Sequence, residues 1–124
     1  MKRKMLGVVI ASTFSMAAAQ GLPLSFPEGS LPLTAELFQS KVAGKNFSGW
    51  RADGELMRLD IDLDGTLTWY SRKASERGKW KLEGDRFCQE LFRFGSGCNE
   101  FRIGDGVIYY KRNVNGEVVT LKAL

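Results

Sequence analysis

The chain from residue 45 onward consists of short apolar-rich runs separated by glycines, most of which stand beside an aspartate or an asparagine. Within several runs apolar and polar residues alternate, which is typical of strands that bury one face. Turn residues at such short intervals indicate an antiparallel meander. The pattern predicts eight strands, near residues 45–52, 55–63, 66–72, 78–83, 86–92, 99–104, 106–112 and 117–123.

Eight short antiparallel strands in one chain predict a mainly β fold, either a small eight-stranded barrel or a tight sandwich. A closed barrel has no exposed strand edges, which would otherwise invite aggregation. One helix is predicted before the strands, because Thr34 is a good N-cap, Glu36 lies in the first turn and Gly44 can end the helix. We expect this short helix to cover an open end of the sheet.

The segment LDIDLDGTLTWY, residues 59–70, allows two interpretations. Its three aspartates and the glycine after them match the first part of an EF-hand calcium loop, but the position that needs a bidentate glutamate is Ser71. Alternation with a period of two instead predicts a strand. The sequence therefore favours a solvated strand face, carrying Asp60 and Asp62, over a calcium site.

The strand interpretation also predicts the turn that follows. A three-residue turn at 63–65, with its glycine in the left-handed conformation, would place Ile61 opposite Leu67. The same register would place Leu59 opposite Trp69. A two-residue turn would set aspartates against these apolar residues, so burial favours the three-residue turn.

A second hairpin is predicted at the C-terminus, where the Asn-Gly pair at 115–116 is a strong signal for a two-residue turn. Such a turn would pair Tyr110 with Leu121. It would also pair Ile108 with Ala123 and complete the sheet.

Residues 1–19 have the pattern of a secretory signal peptide. Three basic residues at 2–4 precede an apolar stretch over 5–14, and three alanines predict cleavage between Ala19 and Gln20. The apolar stretch is shorter than the roughly 20 residues that a membrane span needs, so no transmembrane segment is expected. The pattern predicts a periplasmic or secreted protein.

Cleavage would change the charge of the protein. The whole chain carries 18 basic and 14 acidic residues, and the leader holds three of the basic ones, so the remainder has a net charge of +1. A nucleic-acid partner is therefore not expected. Residues 20–33 contain all three prolines and predict an extended arm, and 34–124 are predicted to form a single β-barrel domain.

The two cysteines, Cys88 and Cys98, suit the same compartment. An even pair in an oxidising space predicts a disulfide, which would stabilise so small a domain by about 2–3 kcal/mol. The alternative is a redox-active or nucleophilic thiol. It is disfavoured because the chain has no histidine and no CxxC motif.

Catalysis has little support in the sequence. The absence of histidine excludes a Ser-His-Asp triad and an imidazole metal ligand, and no phosphate-binding or dinucleotide-binding glycine loop is present. Alternating acids on a strand are ordinary surface residues. The protein is therefore expected not to be an enzyme, with no catalytic residues, no metal site and no cofactor.

A cationic segment, SRKASERGKWK, offers a candidate binding surface formed by Arg72, Lys73, Arg77 and Lys79. Clustered cations could bind an anionic glycan, a lipid headgroup or an acidic protein. The alternative is a solvated loop that keeps the domain soluble, and Glu76 dilutes the charge.

The aromatic residues also allow two interpretations: they could line a ligand cavity or fill the interior of the barrel. The shortness of the predicted strands favours a filled interior. The residues concerned are Phe47, Trp50, Trp69, Tyr70, Trp80, Phe87, Phe92, Phe94, Tyr109 and Tyr110.

Several segments of the chain resemble a family of small secreted domains of unknown function from Gram-negative bacteria: LTAELFQSKVAGKNFSG, DGT, RGKWKLEGDRFC, GC and a late DG. Members of that family look like single lipocalin-like, or calycin-like, β-barrels with a GxW element, a polar turn and a cysteine. Here these are residues 78–80, 84–85 and Cys88, with Cys98 as the second cysteine. The resemblance implies a fold and a compartment but brings no activity.

The leading expectation is a non-catalytic binding or envelope-associated module whose partner is a protein or an anionic glycan of the cell envelope. A lipocalin-type carrier of a small molecule is the second hypothesis. An inhibitor of a cell-wall enzyme such as lysozyme is the third, although no inhibitory loop motif is visible in the sequence.

Overall fold

The computed structural model describes residues 22–124, and these form one closed antiparallel barrel with a single short helix. The predicted signal peptide, 1–19, and the cleavage point between Ala19 and Gln20 lie outside the described residues. In chain order the elements are β1 (Leu31–Pro32), α1 (Ala35–Lys41), β2 (Asn46–Trp50), β3 (Leu56–Ile61), β4 (Thr66–Tyr70), β5 (Ser75–Glu83), β6 (Arg86–Glu90), β7 (Gly97–Gly104), β8 (Val107–Lys111) and β9 (Val118–Ala123).

The eight strands β2 to β9 pair in sequence order, and β9 pairs back onto β2 to close the barrel. This confirms the predicted eight-stranded barrel and decides against the sandwich. The short strand β1 adds to the edge of β7 through Leu31 opposite Ile103. Closure explains why so small a domain exposes little strand edge.

The β3–β4 hairpin has the predicted register. Ile61 lies opposite Leu67 and Leu59 opposite Trp69, and all four side chains are buried. The turn glycine has a φ of 90°, which a residue with a side chain rarely adopts. Antiparallel strands, rather than the helices of an EF-hand, flank the aspartates, so the strand interpretation is confirmed.

The predicted register of the last hairpin is wrong by two residues. Tyr110 pairs with Val119, not Leu121, and Ile108 pairs with Leu121. The turn spans four residues, because the backbone N–H of Gly116 donates to the carbonyl of Arg112 at 2.9 Å. A shift of two residues keeps every side chain on its original face, so the inward-facing residues were nevertheless predicted correctly.

The helix α1 covers one end of the barrel. Thr34 is its N-cap and accepts the N–H of Leu37 at 3.1 Å, as expected from the sequence. The fully buried Phe38 ring lies 4.7 Å from the ring of Trp80 and 5.7 Å from that of Phe87, measured between centroids. This end of the interior is therefore filled by side chains.

Within residues 22–124, no helix combines the length and the apolar character that crossing a bilayer requires.

The described part of the arm lies along the outer wall of the barrel up to residue 32, and Leu33 enters the core. The carbonyl of Pro23 accepts the N–H of Val118, and the guanidinium of Arg102 donates to the hydroxyl of Ser30 at 2.8 Å. The same guanidinium lies over the ring of Phe26. These contacts connect the arm to β9 and β7.

Gly78, from the GxW element, permits close packing between β5 and the end of β6. A β-carbon at this position would lie 2.2 Å from the carbonyl oxygen of Glu90 and 2.6 Å from a methyl group of Leu91. No residue other than glycine fits this approach without a shift of the backbone.

Cys88 and Cys98 form the predicted disulfide. They lie directly opposite each other on β6 and β7, on the strand faces that point away from the interior. The bond joins the two strands just before the loop that connects them.

Candidate ligand-binding site at the open end of the barrel

The end of the barrel opposite α1 is surrounded by four loops. They connect β2 to β3, β4 to β5, β6 to β7 and β8 to β9. We call this end the open end. Its loops are residues 51–55, 71–74, 91–96 and 112–117.

A cavity of about 310 Å³ opens between three of these loops, 51–55, 91–96 and 112–117. Strand alternation directs Trp69, Phe101 and Tyr110 into it from three different strands, and Met57 joins them from β3. The ring of Tyr110 lies 5.7 Å from Trp69 and 5.9 Å from Phe101. The inner wall of the cavity is therefore aromatic and apolar.

Polar groups line the rest of the cavity, and part of their hydrogen-bonding capacity is already used. The indole N–H of Trp69 donates to the side-chain oxygen of Gln89 at 2.7 Å. The amide of Asn99 donates to the backbone carbonyl of Lys111 at 2.9 Å. No hydrogen bond within residues 22–124 uses the Asn99 side-chain oxygen or the Tyr110 hydroxyl, and neither atom is completely buried, so both remain available to a ligand.

The Tyr110 hydroxyl is a hydrogen-bond donor at neutral pH. Burial raises its pKa to about 12, although the positive charges of Arg112 and Arg51 oppose this rise. These two arginines also line the cavity. One hydroxyl and two guanidinium groups therefore lie close together at its polar side.

Each of these arginines is held by a carboxylate on its own loop. Arg51 donates a hydrogen bond to the carboxylate of Asp53, and the backbone N–H of Glu55 donates a second one. The bond from Arg51 has the larger effect, and together the two lower the pKa of Asp53 to about 2. Arg112 forms an ion pair with Glu117 at 3.1 Å. A guanidinium has five N–H groups, so both arginines keep donors free after these contacts.

Glu117 is 2 % exposed and connects two of the loops. Its second carboxylate oxygen accepts the backbone N–H of Ala52 at 2.7 Å. Glu117 lies in the same loop as Arg112, so this hydrogen bond joins that loop to the loop at 51–55. The backbone N–H of Glu117 donates to the side chain of Asn115. This buried carboxylate fixes the position of both arginine-bearing loops.

Glu76 holds the loop at 91–96 in the same manner. Its carboxylate accepts the backbone N–H groups of Phe92, Arg93 and Phe94, the last at 2.7 Å. Burial would raise the pKa of Glu76, but the three N–H donors and the charge of Arg93 together lower it. The loop is therefore fixed by an ionised carboxylate from β5.

The structure divides the four predicted binding residues between two places. Arg72 and Lys73 lie in the β4–β5 loop at the open end, where Arg72 lies over the ring of Trp50. Arg77 and Lys79 lie on the outer face of β5. There Arg77 already contacts Asp62 and Asp64 and donates to the hydroxyl of Thr66, at 3.0 Å.

The two interpretations of the aromatic residues each hold for part of the barrel. Phe47, Trp69, Phe87 and Tyr110 belong to the buried core, with Trp80 and Phe94 packed against it, and Trp69, Tyr110 and Phe94 also line the cavity. For Trp50, Tyr70 and Phe92 both interpretations are wrong, because these side chains are exposed. The shortness of the strands was a good guide to the filled part of the interior but not to the open end, where loops extend the wall. Sequence reasoning missed Arg51, Gln89, Asn99 and Arg112 as lining residues.

Comparison of the chain with protein-family models, curated proteins and solved structures finds no match.

Proposed function

We propose that this protein is a non-catalytic, lipocalin-like binding module of the bacterial periplasm or extracellular space that holds a small amphipathic anion at its open end. The observation that supports this proposal most strongly is the cavity of about 310 Å³. Its volume falls within the range of small-molecule sites, which begins at about 300 Å³.

The composition of the cavity wall supports an amphipathic ligand. Trp69, Phe101 and Met57 offer an apolar surface that would remove hydrocarbon or aromatic groups from water. The free Tyr110 hydroxyl and the two arginines lie at the polar side. A ligand with one apolar part and one polar head would satisfy both.

The donors support an anionic head in particular. Tyr110 offers an O–H, and Arg51 and Arg112 offer the guanidinium N–H groups that their own carboxylates leave free. Charge-assisted hydrogen bonds to a carboxylate are roughly twice as strong as neutral ones. A small carboxylic acid is therefore the ligand class that we propose.

The proposed compartment and the non-catalytic role rest on the sequence. The leader pattern at 1–19 and the Cys88–Cys98 disulfide both suit an oxidising space outside the cytoplasm. The absence of histidine supports binding rather than acid–base catalysis. The protein or glycan partner expected at Arg72–Lys79 stays a prediction.

A titration with three compounds of equal chain length tests the ligand class. Octanoate, octanol and octylamine share a hydrocarbon tail and differ in the head group. We expect octanoate to bind most tightly by isothermal calorimetry, because only its head is negatively charged and can accept charge-assisted hydrogen bonds. Equal binding of the three would overturn the anionic head, and binding of none would overturn the carrier proposal.

Two tyrosines that are neighbours in sequence provide the matched variants. Tyr110→Phe removes the hydroxyl in the cavity and should weaken octanoate binding at least about 10-fold, the size of one hydrogen bond to a charged group. Tyr109→Phe removes a hydroxyl from the opposite face of the same strand and should leave binding unchanged. Equal effects of the two variants would place the ligand elsewhere.

A further inference from the structure

We propose that the open end of the barrel docks onto an anionic lipid surface. Two large apolar side chains project from its loops with little protein around them. Phe92 is 94 % exposed and Val114 is 76 % exposed. Such side chains in water cost free energy that insertion between lipid headgroups would recover.

The two ends of the barrel carry opposite charge. The four loops of the open end contain five basic and three acidic residues. At the end covered by α1, the three hairpin turns contain four acidic residues and no basic one. The segment 33–45, which includes the helix, adds two basic residues and one acidic residue, so this end is negative overall. A negative surface would therefore attract the open end and repel those turns.

The cations that are free to contact such a surface lie beside the apolar tip. Arg93 follows Phe92 directly and is exposed. The loop that holds Arg72 and Lys73 lies next to it, because Glu76 of the strand that follows that loop binds the backbone at Phe92. Each basic residue near an anionic membrane strengthens binding roughly 5-fold.

The exposure of Phe92 is built into the backbone of its loop. Besides the three N–H groups held by Glu76, the hydroxyl of Ser96 both accepts the N–H of Leu91 and donates to its carbonyl, at 2.9 Å each. The side chain of Gln89 donates to the carbonyl of Gly95. The loop therefore presents the phenyl ring to the outside without further ordering.

Two features favour a lipid surface over a protein pocket. The contact groups are distributed over three loops around the opening, where a flat surface could contact all of them together. The cavity also opens beside two of these loops, with Phe94 and Val114 among its lining residues. A bilayer facing this end would be a direct source of amphipathic anions.

Docking as such depends on exposed side chains and surface charge, so it can be tested apart from the proposed ligand. Vesicle binding can be measured without any added ligand, and octanoate binding can be measured without vesicles. Either proposal can therefore fail while the other survives.

Vesicle sedimentation tests the proposal. The purified protein is mixed with vesicles of equal parts phosphatidylcholine and phosphatidylglycerol, or of phosphatidylcholine alone, at low salt. The net charge of +2 on the open-end loops predicts about 30-fold tighter binding to the anionic vesicles. No binding to them, or equal binding to both, would overturn the proposal and leave a protein pocket as the occupant to seek.

Two matched pairs of variants locate the contact. Phe92→Ala should weaken anionic vesicle binding at least about 10-fold, whereas Leu63→Ala, at a side chain 72 % exposed in a turn at the opposite end, should not change it. An unchanged affinity for Phe92→Ala would overturn the proposal. Because both side chains are exposed, both variants should keep the melting temperature of the parent.

The second pair removes two charges from either of two places. Arg72→Gln with Lys73→Gln, at the open end, should weaken binding about 30-fold. Lys79→Gln with Lys81→Gln, on the outer face of β5, removes the same charge and should have a much smaller effect. Equal losses would show a general response to net charge and would overturn the proposed orientation.

Discussion

The two ends of this barrel are built from the same alternating strands, yet one is filled and the other is open. At one end the helix packs Phe38 against Trp80 and Phe87, so that apolar side chains occupy the interior. At the other end the loops arch around a cavity whose wall includes Trp69 and Tyr110. Strand pattern alone therefore does not determine whether the interior of a small barrel is filled.

The difference follows from what holds each end together. The end covered by α1, which we call the closed end, depends on the burial of apolar side chains from that helix. The open end depends on two carboxylates, Glu76 and Glu117, that bind backbone N–H groups of the loops. Hydrogen bonds of this kind hold a loop without placing one of its side chains in the interior, so a cavity remains between the loops.

The largest effect is expected at the closed end. Phe38→Ala should lower the free energy of unfolding by about 3–5 kcal/mol, because it removes a fully buried ring and leaves a cavity. Urea denaturation measures this change. The matched variant Phe92→Ala, at an exposed phenylalanine of the open end, should stay within about 0.5 kcal/mol of the parent. Similar losses for the two would remove the distinction between the ends.

A smaller effect is expected from the buried carboxylate of the open end. Glu117→Gln keeps the size of the side chain but removes the charge that faces Arg112, and should cost about 1–3 kcal/mol by the same denaturation. The control is Glu55→Gln, on the neighbouring loop, which should stay within about 0.5 kcal/mol. If both variants behaved alike, Glu117 would not be the group that joins the loops.

The smallest effect is local and depends on pH. The pKa of Glu76 is lowered in the folded state, so the stability contributed by its ionised form is present above the ordinary value of 4.5. That contribution is lost as the pH falls below 4.5 through the folded pKa. Below this pH the amides of Phe92, Arg93 and Phe94 should therefore lose protection from hydrogen exchange.

Native-state hydrogen exchange at a series of pH values measures this loss, after correction for the intrinsic exchange rate. The amide of Trp80, which donates to the carbonyl of Gly65 near the closed end, serves as the internal control and should keep its protection. In Glu76→Gln the loop amides should show no such pH dependence. Equal loss at both ends would instead indicate global acid unfolding.

The barrel could be predicted from the sequence because burial leaves little choice of register. Leu59 and Ile61 alternate with aspartates, and only one turn length buries them opposite Leu67 and Trp69. The two-residue turn predicted at Asn115-Gly116 is wrong, and the four-residue turn in its place carries Glu117, whose contact with Ala52, 65 residues away, turn chemistry cannot reveal.

The open end could be predicted only in part for the same reason. Alternation directs Trp69 and Tyr110 inward, but it does not show whether other side chains cover them. From the sequence, Glu76 is interpreted only as an acid that dilutes a cationic segment. In the structure it binds the backbone of the loop that contains Phe92, sixteen residues away. Loop conformations that depend on distant carboxylates leave no local signal in the sequence.

The central claim, that the barrel binds a small molecule at one end and is filled at the other, is tested most directly by the indole N–H signals of its tryptophans. In ¹⁵N-labelled protein the indole of Trp69 reports the cavity through its bond to Gln89, and that of Trp80 reports the closed end through its bond to the carbonyl of Asp62. On titration with octanoate the Trp69 signal should shift and saturate while the Trp80 signal stays in place. A Trp69 signal that does not move, or a Trp80 signal that moves equally, would contradict the account.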